Sequence, residues 1–346
     1  MEHQHGARGR DRYDRIVQSL PDGLSARAVD PARDLEPIAA LVNAMRANIG
    51  DPLLDSAADV HDIVAGTEVD TARDTLVVAS LDGELLAYAV AYPVLDNEKP
   101  RVFLMGATHP TQRGRGFGRA LLEWSIDRAT ERLAALPNGT IQAQCGDSDS
   151  TAERLYQAAG MRPIRWFTDL QLRFSERPTH TDPHRYPLPE GCTSQTLETV
   201  DREILRSLHN ACFADHWGSS PVSQEFWNNE FLAHESSRPH LCEIVFDRSG
   251  AAVAYQLTSE FPQDAETTGR VLWIDKLGVH PLHRRNGLAT TLIERHLARA
   301  ARDGYEGSML GVDADSLTGA NVLYARIGYT RRYGGVRYIL GDAQYS

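Results

Sequence analysis

Apolar residues recur along the chain with two different spacings. In 34–49 they fall at Ile38, Leu41 and Met45, every third or fourth residue, which predicts an amphipathic helix. Residues 75–94 instead form two apolar runs around Asp82-Gly83, the signature of a β-hairpin. RVFLMGA (101–107) predicts a third strand. A glycine-rich turn follows, then a helix with Leu121, Leu122, Ile126 and Leu133 on one side. The same order returns further on. A helix is expected over 203–213, a hairpin over 242–260, a central strand over 271–279, and a helix carrying Leu292, Ile293 and Leu297. Strand–turn–helix units mixed with hairpins predict a mixed α/β (α+β) sheet in each half.

The recurrence extends to residue identity. MGATHPTQRGRGFGRALLEW (105–124) aligns with KLGVHPLHRRNGLATTLIER (276–295), and AERLYQAAGM (152–161) with ANVLYARIGY (320–329). Two matches in the same order indicate a duplicated domain. SERPTHTDPHRYPLPEG (175–191) holds four prolines and reads as an extended linker. The expected layout is an N-terminal arm over 1–23, one domain over 24–174, a linker over 175–190 and a second domain over 191–346. The polar arm lacks the apolar core of a signal peptide, and no apolar run is long enough to span a membrane. A cytoplasmic protein, monomer or homodimer, is expected.

Composition narrows the function by exclusion. The formal net charge of −11 argues against nucleic acid as a partner and leans toward a small cationic molecule. Cys145, Cys192, Cys212 and Cys242 show no CxxC pairing and the histidines no HExxH motif, so neither zinc nor a disulfide framework is expected.

The turns carry the chemistry. A helix N-terminus offers unpaired backbone N–H groups and partial positive charge, a natural seat for phosphate. Glycine lets the backbone approach the anion and arginine adds charge. A single such turn reads equally well as a basic loop with solvated arginines. A dinucleotide fold is disfavoured because GRGFGRA is not GxGxxG, and the absence of GKS or GKT excludes a P-loop.

Two full copies in order resemble a known family, the GNAT-type N-acetyltransferases, whose Arg/Gln-x-x-Gly-x-Gly/Ala turn cradles the coenzyme A pyrophosphate. Arg113, Gly114, Arg115, Gly116, Phe117 and Gly118 fit it. So do Arg284, Arg285, Asn286, Gly287, Leu288 and Ala289, with Thr290 in the first helical turn. The family's late Leu-Tyr-x-x-x-Gly-Phe matches Leu155-Tyr156 to Gly160-Met161 and Leu323-Tyr324 to Gly328-Tyr329, with Met and Tyr in place of Phe. The resemblance covers most of the chain outside arm and linker. Its tandem layout is similar to the mycothiol synthase type of two-domain acetyltransferase, in which the C-terminal copy is catalytic.

The resemblance implies two tandem GNAT folds, acetyl-coenzyme A as donor and a primary amine, from a small molecule, as acceptor. Backbone N–H groups of Leu277, Gly278 and Val279 would face the thioester carbonyl, as would Gly106 to Thr108 in the first copy. Tyr324 and Tyr156 hold the place of the proton donor to sulfur. Ser316 stands where relatives often carry Asn, and Asn321 is the next candidate for the coenzyme arm. Asp275 distinguishes the copies, because its counterpart is Leu104. Strand alternation puts Asp275, Leu277 and Val279 on one face. Asp275 is then either the general base or a strand-end acid paired with Lys276 or Arg270. Asp215 and His216, in the polar aromatic stretch 213–227, and Asp313, at the end of a late strand, are candidate substrate contacts. Glu243 heads a strand and reads as structural. No cysteine falls in either motif, so direct transfer in a ternary complex is expected, without an acyl-enzyme. The alternatives are a non-catalytic coenzyme A-binding or regulatory protein and an antibiotic-amine acetyltransferase.

Overall fold

Strands form where the apolar runs were, and amphipathic helices cover them. A computed structural model describes Ile16, Gln18 and residues 23–95, 99–215, 221–227, 235–314 and 319–341. The arm is therefore almost wholly outside the described residues, as are His216 and Ser316. By internal contacts the chain divides into two units. One is Phe167–Tyr333; the other holds the described residues up to Trp166 and those from Gly334 onward.

In the first unit, β1 (Leu24–Arg27), β2 (Thr75–Ser80), β3 (Leu85–Val94) and β4 (Arg101–Thr108) run antiparallel in that order. β4 pairs in parallel with β5 (Thr140–Gly146). α1 (Leu35–Ile49) and α2 (Ala57–Val64) precede β2, α3 (Phe117–Leu133) joins β4 to β5, and α4 (Ser150–Ala158) leads to β6 (Met161–Arg173). Ile38 and Leu41 of α1 pack on Val77, Tyr88 and Val90, while α3 packs Leu121 and Trp124 on Leu76 and Val78. Each such side chain, fully buried, stabilises the fold by about 1.5–3 kcal/mol.

The second unit repeats the plan. β7 (Thr193–Gln195), β8 (Glu243–Phe246), β9 (Ala252–Ser259) and β10 (Val271–Val279) are antiparallel, and β10 pairs in parallel with β11 (Gly307–Asp313). α5 (Arg202–Phe213) follows β7, α6 (Leu288–Arg302) joins β10 to β11, and α7 (Ala320–Ile327) leads to β12 (Thr330–Leu340). The final strand position in each unit comes from the other sequence copy. Gly335–Leu340 of β12 pairs with β5 in the first unit, and Phe167–Arg173 of β6 pairs with β11 in the second. The contact units thus differ from the linear blocks 24–174 and 191–346. The proline-rich stretch 175–190 is fastened to α6: Arg295 donates to the Pro183 and Tyr186 carbonyls at 3.3 Å each, and Arg177 pairs with Glu294 at 2.7 Å. Among the described residues no helix is long and apolar enough to cross a membrane.

Glu243 is structural, as its strand-head position suggested. Its carboxylate is 2% exposed and lies 2.8 Å from Arg295 and 2.7 Å from Arg299 of α6. Burial pushes its acidity toward the neutral form, but the two guanidiniums outweigh that and hold it at about 2. Its folded value is depressed, so its contribution is complete above about 4.5 and is lost as pH falls toward about 2. Glu243→Gln leaves buried Arg295 and half-buried Arg299 uncompensated and is expected to cost about 3–5 kcal/mol at neutral pH. Urea unfolding measures this, and the deficit should shrink below pH 4.

Candidate functional site

The two turns have the same backbone. A single 3-10 turn, Pro110–Gln112 or Pro281–His283, is opened by a histidine whose ring accepts a backbone N–H: Thr111 to His109 at 3.4 Å, Leu282 to His280 at 3.3 Å. Arg113 and Arg284 are extended. The next residue is left-handed in both copies, Gly114 at φ +79° and Arg285 at +66°. Gly116 at +89° and Gly287 at +82° then cap α3 and α6. An added Cβ at either cap would meet nothing within 4 Å, so these glycines are required by φ and not by space. Arg285 sits where its twin has glycine and bears the left-handed conformation at a cost of about 1–2 kcal/mol.

Neither helix has a side-chain cap. The N–H groups of Leu288, Ala289 and Thr290, and of Phe117 and Gly118, therefore converge at open helix starts, which fits an anion. Arg285 and Asn286 are exposed beside one start and Arg115 beside the other. Leu288 and Phe117 bury their side chains, at 3% and 2% exposure, so they contribute only backbone to the turn.

The first arginine of each turn is engaged by the protein. Arg284 Nε donates to the Val279 carbonyl at 3.2 Å, and Nη2 to the Cys212 carbonyl at 2.8 Å and to Asp215 at 3.0 Å. Asp215, expected to meet substrate, is thus paired with the arginine expected to meet phosphate. Arg113 lies 3.6 Å from Asp149, which caps α4 by accepting from Thr151 and Ala152.

Beyond the turn, the central strands splay. β4 pairs with β5 only over Arg101–Leu104, and β10 with β11 only over Val271–Ile274, although all four strands run on. The His280 N–H bonds back to Val253 and the His109 N–H to Leu86, each at 2.8 Å. Alternation then turns the N–H groups of Leu277 and Val279, and of Gly106 and Thr108, toward the gap. Gly278 lies between them with its N–H toward β9, so the expected trio narrows to Leu277 and Val279.

The copies part at Asp275. The β9–β10 register shifts between Ile274 and Lys276, so Asp275 is the extra residue of a bulge. Ile274 and Leu277, three apart, both pack with α6 residues, and so does Val279. Asp275 turns to the opposite face, where the Ser259 hydroxyl donates to its carboxylate. The expected shared face of Asp275, Leu277 and Val279 is thereby corrected: an inserted residue breaks the alternation. The β3–β4 register is continuous and Leu104 is core. Two residues near this bulge carry no motif in the sequence, Ser259 beside Asp275 and His209 near Lys276. Buried His209 is hydrogen-bonded through Nδ1 to the Tyr255 hydroxyl at 2.6 Å, and burial, aided by nearby Lys276, pushes it down to about 4. Burial likewise lowers the Lys276 ammonium against the opposing pull of Asp275.

The late tyrosines also differ. Burial pushes the Tyr324 phenol up to about 12, its ring meets Tyr329 edge-on at 6.0 Å, and among the described residues its hydroxyl makes no hydrogen bond. The Tyr156 hydroxyl instead donates to the Gln144 carbonyl at 3.2 Å. Asn321 Nδ2 donates to the Asp313 and Ala314 carbonyls at 3.2 and 2.8 Å, which ties the start of α7 to the end of β11. Asp313 is buried at the end of that strand, in register with Phe167. A further repeat escaped the sequence reading. Asn43 clamps the Asp55 backbone through both amide atoms, at 2.9 and 2.8 Å, and Asn210 clamps Val222 in the same way, at 3.4 and 2.9 Å. The Asn-Ala pairs 43–44 and 210–211 were its only trace.

Known proteins share the family pattern and the fold. The Acetyltransferase (GNAT) family pattern matches residues 46–161 and again 202–329. A mycothiol acetyltransferase of Salinispora arenicola is 28% identical over 290 residues, covering 81% of this chain and 86% of its own. One of Streptomyces avermitilis is 28% identical over 307 residues, covering 87% and 90%. Among solved structures, a GCN5-related N-acetyltransferase from Sphaerobacter thermophilus matches with a TM-score of 0.70 at 26% identity, over 92% of this chain and 96% of that one. A tandem GNAT protein from the clavulanic acid biosynthesis pathway shares the fold at a TM-score of 0.64 and 17% identity, over 93% and 99%.

Proposed function

The chain belongs to the acetyltransferase (GNAT) family, with acetyl-coenzyme A as donor, and on that premise we propose that its second copy transfers acetyl to a primary amine of a small molecule. The observation that carries the choice of copy is the β10 bulge, which sets Asp275 beside the splay; β4 has neither bulge nor acid. Bound at the splay, acetyl-coenzyme A supplies an acetyl group activated as a thioester. The open start of α6 with Arg285 and Asn286 holds its pyrophosphate. The N–H groups of Leu277 and Val279 donate to the carbonyl oxygen as it gains charge. Asp275, next to Lys276 on β10, takes a proton from the amine through water. Tyr324 gives its proton to the sulfur as the carbon–nitrogen bond forms and the carbon–sulfur bond breaks. The first copy keeps the cradle, but its tyrosine is bonded to Gln144; it binds coenzyme A or serves as a structural half.

For the acceptor, the names of the curated relatives favour the unacetylated form of mycothiol, and the negative net charge favours a cationic amine. The test incubates the full chain with acetyl-coenzyme A and a panel holding unacetylated mycothiol, glucosamine, an aminoglycoside and a lysine peptide, reading acetylated product by mass. A small-amine product is expected. A product from the peptide alone, or from none, would overturn the proposal.

A further inference from the structure

We propose that Arg284 and Asp215 form a strut that positions the end of β10, so that Arg284 is a positioning residue and not a phosphate ligand. This rests on the reading that the second copy transfers acetyl. Guanidinium has five N–H donors. Nε holds the Val279 carbonyl, Nη2 holds the Cys212 carbonyl and one Asp215 oxygen, and Nη1 holds the other Asp215 oxygen. One donor remains, too few for the two-point grip by which arginine recognises phosphate.

What the strut joins gives it a role. Val279 presents its N–H to the gap where the thioester carbonyl is to be polarised. Cys212 lies in the last turn of α5, where a cation also meets the negative helix end. Midway along the same contact, a Cβ added to Gly278 would fall 2.4 Å from the Tyr255 ring and 3.1 Å from Cys212 Cβ. α5 and β10 are thus in close contact at Gly278, and Arg284 fixes the strand end one residue on. Among the described residues the first copy shows no such strut: Arg113 reaches toward Asp149 at the start of α4. The strut accompanies the copy that holds Asp275.

The test compares Asp215→Asn, Arg284→Gln, their double variant and Asp215→Glu in the full chain, with acetyl-coenzyme A and the best amine of the panel. Each single change should lower kcat by about tenfold, through a displaced Val279 amide, with KM for acetyl-coenzyme A within about threefold. The double variant should be no worse than either single, because both break one strut. Asp215→Glu should restore most of kcat. Unchanged kcat in Asp215→Asn would overturn the proposal. So would a tenfold or larger rise in that KM for Arg284→Gln alone, which marks a phosphate ligand. If the unaltered chain acetylates no amine, the transfer reading falls by itself. The strut is then judged by hydrogen exchange at the Val279–Arg284 amides, about tenfold faster in Asp215→Asn if it exists and unchanged if it does not.

Discussion

Tyr324→Phe is expected to lower kcat by about 10²–10³-fold while leaving KM for acetyl-coenzyme A within about twofold. Only the hydroxyl is lost, and among the described residues it holds nothing, so the buried ring and its contact with Tyr329 persist. The variant should therefore fold with an unchanged melting temperature, which separates a chemical from a structural effect. Burial raises this phenol to about 12, so it stays protonated through neutral and mildly alkaline pH. Any alkaline fall in rate below about pH 11 should then be the same in enzyme and variant. Tyr156→Phe makes the control. Its hydroxyl is bonded to Gln144 in the copy without an acid at the bulge position, and its loss should leave turnover within about twofold. Equal losses in the two variants would sink the assignment of Tyr324.

Gly287→Glu should remove acetyl-coenzyme A binding from the second copy. Two effects act together. At φ +82° a side chain costs about 1–2 kcal/mol. The larger effect is a carboxylate at an uncapped helix start, which competes for the N–H groups of Leu288 to Thr290 and repels the pyrophosphate. Calorimetry should show affinity at this site falling by at least about 10²-fold. Gly287→Asn separates the causes, because asparagine tolerates the left-handed region and brings no charge. It should retain most of the affinity; equal loss in both variants would mean that backbone strain dominates and the electrostatic account is wrong.

Much of the fold was legible because it rests on local spacing. The 3.6-residue period at Ile38, Leu41 and Met45 and the Asp82-Gly83 hairpin report directly on one helix and two strands. The turns were legible because left-handed backbone calls for glycine at Gly116 and Gly287. What escaped depends on distant partners or on a single inserted residue. Met161–Arg173 and Thr330–Leu340 are each one continuous strand, and the distant strands with which they pair, which decide the change of unit at Phe167 and Gly334, leave no local spacing to read. A straight-strand reading of 271–279 gives the wrong face for Asp275, because one bulge inverts the alternation. Asp215 and Arg284 are far apart in sequence, and each shows a charge without showing its partner.

The most direct test of the central claim is the rate of acetylated-amine formation by the full chain carrying Gly287→Glu, with its melting temperature measured alongside. The account predicts that product formation is lost while the fold and any acetyl-coenzyme A binding at the first copy remain. Product formed at the rate of the unaltered chain would contradict it, because acetyl transfer would then not depend on the cradle of the second copy.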